Sequence, residues 1–107
     1  MDKREKILAD LAAMPASEID KKKDMIILEL REMDSAYFMA KDERLIKRFD
    51  KRKELRQTNS MNKTDQLLRE DKELHDLERK ITKLSRIRND LRLVKEILEN
   101  YYWKARG

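Results

Sequence analysis

The chain has 107 residues; 46% of them are Asp, Glu, Lys or Arg, one is Gly, one is Pro, none is Cys, and the formal net charge is +5. So few turn-forming residues exclude a multi-stranded sheet, because each tight hairpin turn usually needs a residue at positive φ. The lack of cysteine excludes disulfides, thiolate nucleophiles and the usual zinc frameworks. High charge is also typical of disordered chains, so the periodicity of the apolar residues has to distinguish a helical fold from disorder.

A short helix is predicted within residues 1–14. Asp2 with Glu5 three residues later forms a capping box, which satisfies free amide groups at the start of a helix. Pro15 ends the helix, because the residue before a proline avoids the helical conformation. Its apolar face consists of Ile7, Leu8 and Leu11.

Residues 17–104 predict a long antiparallel coiled-coil hairpin, with its turn in the polar cluster at residues 57–63. The helix before the turn carries an apolar stripe at steps of mostly three and four residues: Ile19, Ile26, Leu30, Met33, Tyr37, Ala40, Leu45 and Phe49. The helix after it, predicted over 64–103, carries apolar residues at heptad spacing: Leu67, Leu74, Leu77, Ile81, Leu84, Leu91 and Leu98. The fold class is therefore all-α, and we expect a single domain.

The charge pattern supports the same antiparallel pairing. Residues 25–43 have a net charge of −3 and residues 44–56 a net charge of +5, while residues 66–78 have −3 and residues 79–95 have +6. When the chain folds back near residue 60, each acidic block lies beside a basic one. A parallel self-pairing would place like charges together.

The sequence offers no recognisable catalytic or metal site. His75 is the only histidine, so a single chain cannot assemble a pair of histidine ligands or a catalytic triad, and we interpret His75 as a solvent-exposed residue beside the stripe. The only glycine is Gly107, which excludes a glycine-rich phosphate loop. We therefore expect a protein that is not an enzyme and that needs no cofactor.

A run of seven cations on the second hairpin helix has two interpretations. Such a run can follow the phosphate backbone of a nucleic acid, or it can flank the apolar stripe and pair with the acidic block opposite. We favour the pairing role and keep nucleic-acid contact as the alternative. The run comprises Arg79, Lys80, Lys83, Arg86, Arg88, Arg92 and Lys95.

One end of the hairpin carries more apolar surface than a single partner helix can cover. Residues 25–28 are four consecutive apolar residues, which point in every direction around a helix. The first helix or a second chain has to cover them. The aromatic cluster at residues 101–103 either closes a small three-helix core with the first helix or forms a contact surface, for which Tyr and Trp are favoured. We expect self-association, most simply into a dimer that forms a helical bundle, through Ile27, Leu28, Tyr101, Tyr102 and Trp103.

The predicted function is that of a helical interaction or assembly module. Adaptors, chaperones, scaffolds and virus-encoded accessory proteins commonly have this construction, and the sequence does not choose among them or identify a protein partner. No segment has the uninterrupted apolar length of a membrane span or of a secretory signal. We therefore expect a cytoplasmic protein that does not bind membranes.

Overall fold

The computed structural model describes the backbone of residues 2–106 and the side chains of residues 2–101. This part of the chain forms helices α1 (Lys3–Ala12), α2 (Ala16–Leu55), α3 (Met61–Arg69) and α4 (Lys72–Arg106), and contains no strand. The predicted all-α class is confirmed, and α2 packs against α4 as a hairpin requires. Within the same residues, no helix combines the length and apolar character needed to cross a bilayer.

The contacts divide the chain into two compact units. The first consists of the residues up to Asp34 together with those from Arg86 onward, and the second is Ser35–Ser85. Each unit contains one part of α2 and one part of α4. The expectation of a single domain stays a prediction, and the units are described separately below.

The first unit has a core formed by α1, the beginning of α2 and the end of α4. The Asp2 side chain accepts a hydrogen bond from the Glu5 N–H at 2.8 Å, so the predicted cap starts α1. Leu11 of α1 is fully buried. The core side chains are Leu11, Ile19, Ile26, Ile97 and Leu98, with Ile7, Met14, Leu93, Val94 and Tyr101 packed against them.

The second unit combines the later part of α2, all of α3 and the beginning of α4. Its buried residues come from all three helices: Ala40, Thr64, Leu68, Leu74 and Leu77. The hairpin turn is shorter than predicted, because α2 ends at Leu55 and α3 begins at Met61. The Ser60 hydroxyl accepts a hydrogen bond from the Lys63 N–H at 3.2 Å, which fixes the start of α3 one turn earlier than expected.

The helix predicted over residues 64–103 is interrupted at Glu70 and Asp71. Asp71 Oδ1 accepts a hydrogen bond from the Leu74 N–H at 3.0 Å. This N–H lies in the first turn of α4, where a helix offers no carbonyl partner, so the aspartate side chain caps the start of α4. On the other side of the interruption, the His75 Nε2–H donates to the carbonyl oxygen of Arg69, the last residue of α3. A side chain thereby binds one free backbone group at each of these helix ends, without a glycine or a proline.

The interruption changes which leucine is buried. A continuous helix would place Leu67 in line with Leu74, since they are seven residues apart. In the structure Leu68 is buried and Leu67 is only half-buried. Leu68 is thus more buried than Leu67, the predicted heptad position, because the non-helical residues between α3 and α4 shift the phase of the repeat.

Ion pairs fix how α2 and α4 pack in each unit. In the first unit, Arg88 Nε donates to Asp34 Oδ1 at 2.5 Å. In the second, Lys51 Nζ donates to both oxygens of Asp71, at 2.9 and 2.8 Å. Within the second unit, Arg44 lies near Glu78 and Lys47 contacts Glu73, so residue numbers on α4 fall as those on α2 rise. The two helices therefore run antiparallel, and basic and acidic residues face each other as the charge blocks predict.

The placement of Leu45 and Phe49 is a second difference from the sequence interpretation. Both were expected to face the partner helix, but both are well exposed. The step from Ala40 to Leu45 is five residues, which turns a helix about 140° away from the starting direction. The side of α2 that faces α4 in this unit carries Lys51 instead, so ion pairs occupy the place where leucine packing was predicted.

Thr64 gives the first test of this packing. Its side chain is fully buried, and its hydroxyl oxygen has no hydrogen-bond partner among the described residues. An unsatisfied buried hydroxyl costs about 1 to 3 kcal/mol. Thr64→Val keeps the shape and removes the hydroxyl, so we expect the free energy of unfolding to rise by about 1 kcal/mol in chemical denaturation. Thr64→Ser is the control, because it keeps the hydroxyl and should be less stable than the wild type; a destabilised Thr64→Val would contradict the packing.

Asp71 gives the second test, because its carboxylate has two roles that can be separated. Asp71→Asn keeps an oxygen for the Leu74 N–H but removes the charge that Lys51 contacts, whereas Asp71→Ala removes both. Loss of an N-cap side chain costs about 0.5 to 2 kcal/mol. We expect Asp71→Ala to be less stable than Asp71→Asn by that amount in urea denaturation. Equal stability of the two variants would show that the cap does not stabilise α4.

The same pair predicts a pH dependence. Hydrogen bonding from Lys51 and from the Leu74 N–H lowers the pKa of the Asp71 carboxyl below its usual 3.8. The stabilisation is therefore fully present above pH 3.8 and is lost as the pH falls through the lower pKa of the folded state. We expect the stability difference between the wild type and Asp71→Asn to shrink below pH 3.8. A difference that stays constant through the acid range would contradict the interaction.

Candidate functional site

The main candidate site is an exposed apolar surface on α2 in the second unit. Phe38, Leu45 and Phe49 are spaced by seven and four residues, so their side chains lie along one line of the helix within about 20°. Met39 and Ile46, also seven residues apart, widen this line to one side. We call these five residues the α2 apolar face. Each is a large apolar side chain between 55% and 68% exposed.

The α2 apolar face points away from the rest of its unit. Ala40, on the packed side of the same helix, is only 2% exposed. Lys51, which also lies on the packed side, contacts Asp71 and Glu73 at 2.8 Å each. Within the second unit α2 therefore has a charged side that faces its neighbours and an apolar side that faces solvent, which is the reverse of an ordinary amphipathic helix.

Neighbouring side chains order the beginning of this face. The rings of Phe38 and Tyr37 make an edge-to-face contact, with centroids 5.3 Å apart and an angle of 72° between the rings. Lys41 Nζ lies 5.2 Å from the centre of the Tyr37 ring, within the range of a cation–π interaction. The Phe38 ring is thus held by a half-buried tyrosine, which lowers the entropic cost of using it in a contact.

The middle of the α2 apolar face coincides with the change of charge along α2. Residues 25–43 have a net charge of −3, and residues 44–56 have a net charge of +5. The face extends from residue 38 to residue 49, so its midpoint lies between residues 43 and 44. A second helix with the same charge pattern can pair with this face in the antiparallel direction. Its basic segment then lies along the acidic segment of α2, and its acidic segment lies along the basic one.

The structure separates the residues that the sequence assigned to self-association. Ile27 is half-buried, and Leu28 is 58% exposed in the first unit. Tyr101 packs against the core of that unit, so it closes the core. The side chains of Tyr102 and Trp103 lie outside the described residues. Of this predicted surface, Leu28 is the most exposed member for which the structure gives a position.

Three cations of the basic run are engaged inside the first unit. The Arg88 side chain is 9% exposed and pairs with Asp34 at 2.5 Å. Arg92 lies 4.0 Å from the same carboxylate. Lys95 contacts Glu99, one turn along its own helix, at 3.7 Å. Arg88 and Arg92 thus lie against an acidic residue of α2, as the pairing role requires, whereas Lys95 pairs along α4 itself.

The remaining four cations of the run are exposed. Arg79 contacts Asp76 of its own helix at 3.9 Å, and its side chain is 80% exposed. Lys80, Lys83 and Arg86 make no ion pair with the described residues. The seven cations predicted as one group thus divide into an engaged set and an exposed set.

The described residues contain no candidate metal site, and His75 is the residue whose surroundings bear on this. No group of three or more His, Asp or Glu side chains in this part of the chain is placed to hold a metal ion. His75 is exposed, as expected, and bonds to the Arg69 carbonyl oxygen. Its second ring nitrogen, Nδ1, lies 3.9 Å from the Glu78 carboxylate.

The sequence interpretation missed three members of the α2 apolar face, Phe38, Met39 and Ile46. The seven-residue spacings from 38 to 45 and from 39 to 46 are visible in the sequence. They were missed because Leu45 and Phe49 were assigned to the hairpin core.

No protein-family model matches the chain, and no curated protein or solved structure is significantly similar to it.

Proposed function

We propose that the protein is a non-enzymatic assembly module that associates with a second copy of itself through the α2 apolar face. The observation that carries this proposal is the exposure of five large apolar side chains on the side of α2 opposite its packed side. Apolar patches of this kind mark interaction sites in soluble proteins. The proposed association surface differs from the one expected from sequence, which consisted of Ile27, Leu28 and the aromatic cluster of residues 101–103.

The size of the face supports a dimer contact. Five side chains of this size and exposure expose on the order of 600 Å² of apolar surface, similar to the largest patches of ordinary monomers. A standard interface buries roughly 800 Å² per partner, so the face supplies most of one side. The charge pattern favours an antiparallel two-fold arrangement, because residues 25–43 of one copy then lie along residues 44–56 of the other.

One charge limits the affinity of this contact. Asp42 is exposed and lies among the residues of the α2 apolar face. Burying a carboxylate without a partner is unfavourable, so Asp42 has to remain hydrated or find a cation in the second copy. We therefore expect a reversible dimer that forms in the micromolar range, which corresponds to about 8 kcal/mol of binding free energy.

The alternative function, contact of the basic run with nucleic acid, has weaker support. Lys80, Lys83 and Arg86 are exposed and without ion pairs in the described chain, which favours it. Arg88 is buried against Asp34, which removes one of the seven predicted contacts. Retention on nucleic acid that falls steeply with salt would support this alternative, and it would do so whether or not the protein dimerises.

The proposed dimer predicts that charges on the α2 apolar face abolish association. Leu45→Glu with Phe49→Glu removes two apolar side chains, each worth about 1.5 to 3 kcal/mol when buried. We expect the dissociation constant in sedimentation equilibrium to rise at least about 100-fold. Helix content should not change, since both positions face solvent.

Leu28→Glu is the matched control for this experiment, because Leu28 is equally exposed but lies outside the face. It should dimerise like the wild type. If Leu28→Glu is monomeric while the double variant dimerises, association uses the surface predicted from sequence. A wild type that stays monomeric at several hundred micromolar would rule out self-association through either surface.

The antiparallel arrangement is testable because the chain contains no cysteine. With a two-fold axis near residues 43 and 44, the two copies of residue 42 lie close together, whereas the two copies of residue 53 lie about 28 Å apart along the helices. Asp42→Cys is therefore expected to form a covalent dimer on oxidation, seen by non-reducing electrophoresis, and Lys53→Cys is not. Equally rapid dimer formation by both variants would indicate a parallel arrangement.

A further inference from the structure

The second unit contains a cavity of about 620 Å³ lined by four arginines. Arg44, Arg48 and Arg52 follow one another at steps of four residues and so lie along one side of α2. Arg69, the last residue of α3, lies at the same cavity. Within one compact unit, α2 and α3 thus contribute the arginines of this cavity, and α4 contributes the remaining wall.

These arginines are poorly neutralised by the protein. Arg48, Arg52 and Arg69 make no ion pair with the described residues, and Arg44 has only one long contact, 4.0 Å to Glu78. Arg44 Nε is buried and has no hydrogen-bond partner within the described chain. Asp65 and Glu78 are the acidic residues of the lining, so four positive charges face two negative ones.

The neighbouring lysines differ from these arginines in having carboxylate partners. Lys47 and Lys51, on the same segment of α2, contact carboxylates at 2.5 to 2.9 Å. Hydrogen bonding to Glu73 raises the pKa of Lys47, and hydrogen bonding to Asp71 raises the pKa of Lys51. In one unit, therefore, the lysines are paired while the arginines, whose planar fork suits a polyatomic anion, are left with unused donors.

We propose that this cavity binds the triphosphate group of a small anion, either inorganic triphosphate or a nucleoside triphosphate. A guanidinium group can donate two parallel hydrogen bonds to a phosphate group, and such charge-assisted hydrogen bonds are among the strongest that side chains form. The surplus of positive charge in the lining matches a ligand with several negative charges. The volume lies in the range of small-molecule sites, about 300 to 1,000 Å³, and exceeds what a single phosphate needs.

Two leucines of the lining distinguish the two forms of the ligand. Leu68 and Leu74 are buried residues that contribute apolar wall to an otherwise charged cavity. A nucleoside can pack against such a wall, whereas inorganic triphosphate gains nothing from it. Both forms share the recognition of the triphosphate by the arginines, and that recognition is the proposal.

The test is a calorimetric titration of the full chain with sodium triphosphate and with ATP, without magnesium and at constant ionic strength. We expect one site per chain. Arg48→Ala should weaken the binding of both probes about tenfold or more, since it removes a charged hydrogen-bond donor. Arg79→Ala is the matched control, because it removes the same charge from a side chain that is 80% exposed and outside the cavity; it should leave the affinity unchanged.

Each outcome decides one point. Equal affinity for the two probes supports a site that recognises the phosphates alone, and tighter binding of ATP supports packing of the nucleoside against the leucines. No binding of either probe at millimolar concentration overturns the proposal. Equal weakening by Arg48→Ala and Arg79→Ala also overturns it, because that result indicates attraction by the overall charge. Thermal melting of each variant without ligand, followed by circular dichroism, verifies that the fold is intact, and Arg52→Ala replaces Arg48→Ala if the latter is unfolded.

Discussion

The Asp71 carboxylate accepts hydrogen bonds from two directions, from the Leu74 N–H at the start of α4 and from the Lys51 ammonium on α2. The first contact separates α3 from α4, and the second holds α4 against α2. Because both contacts use one side chain, the start of α4 and its packing against α2 cannot change independently. The orientation of α3, and with it the position of Arg69 at the cavity, depends on this residue.

The all-α class, the N-terminal helix and the antiparallel packing of α2 and α4 were predictable from the sequence, because they depend on regular patterns. Apolar residues at three- and four-residue steps and charge blocks of opposite sign both point to one pairing. The interruption at Asp71 was not predictable in this way. An aspartate inside a charged helix is common, and only the hydrogen bond from the Leu74 N–H shows that this one is used as a cap.

The candidate site was predicted less well, because the sequence does not say which of two apolar stripes is buried. Leu45 and Phe49 suit a core as well as they suit a surface. The structure resolves the choice through charge: Lys47 and Lys51 find carboxylates on the α4 side, and this leaves the apolar residues outside. The arginine cavity could not be predicted from the sequence for a related reason. Arg44 and Arg69 are 25 positions apart in the sequence, and only the packing of α3 brings them to one space.

The contact of the buried Arg88 with the half-buried Asp34 has a consequence for how the chain avoids mispairing. Long heptad repeats are prone to slip by seven residues, since such a slip restores most leucine contacts. Here a slip in one direction would place the Arg88 guanidinium beside Ile27, and a slip in the other would place it beside Lys41. Either alternative buries an uncompensated cation, which costs far more than the leucine contacts recover. A single ion pair thus selects one register for two helices whose apolar pattern alone would permit several alignments.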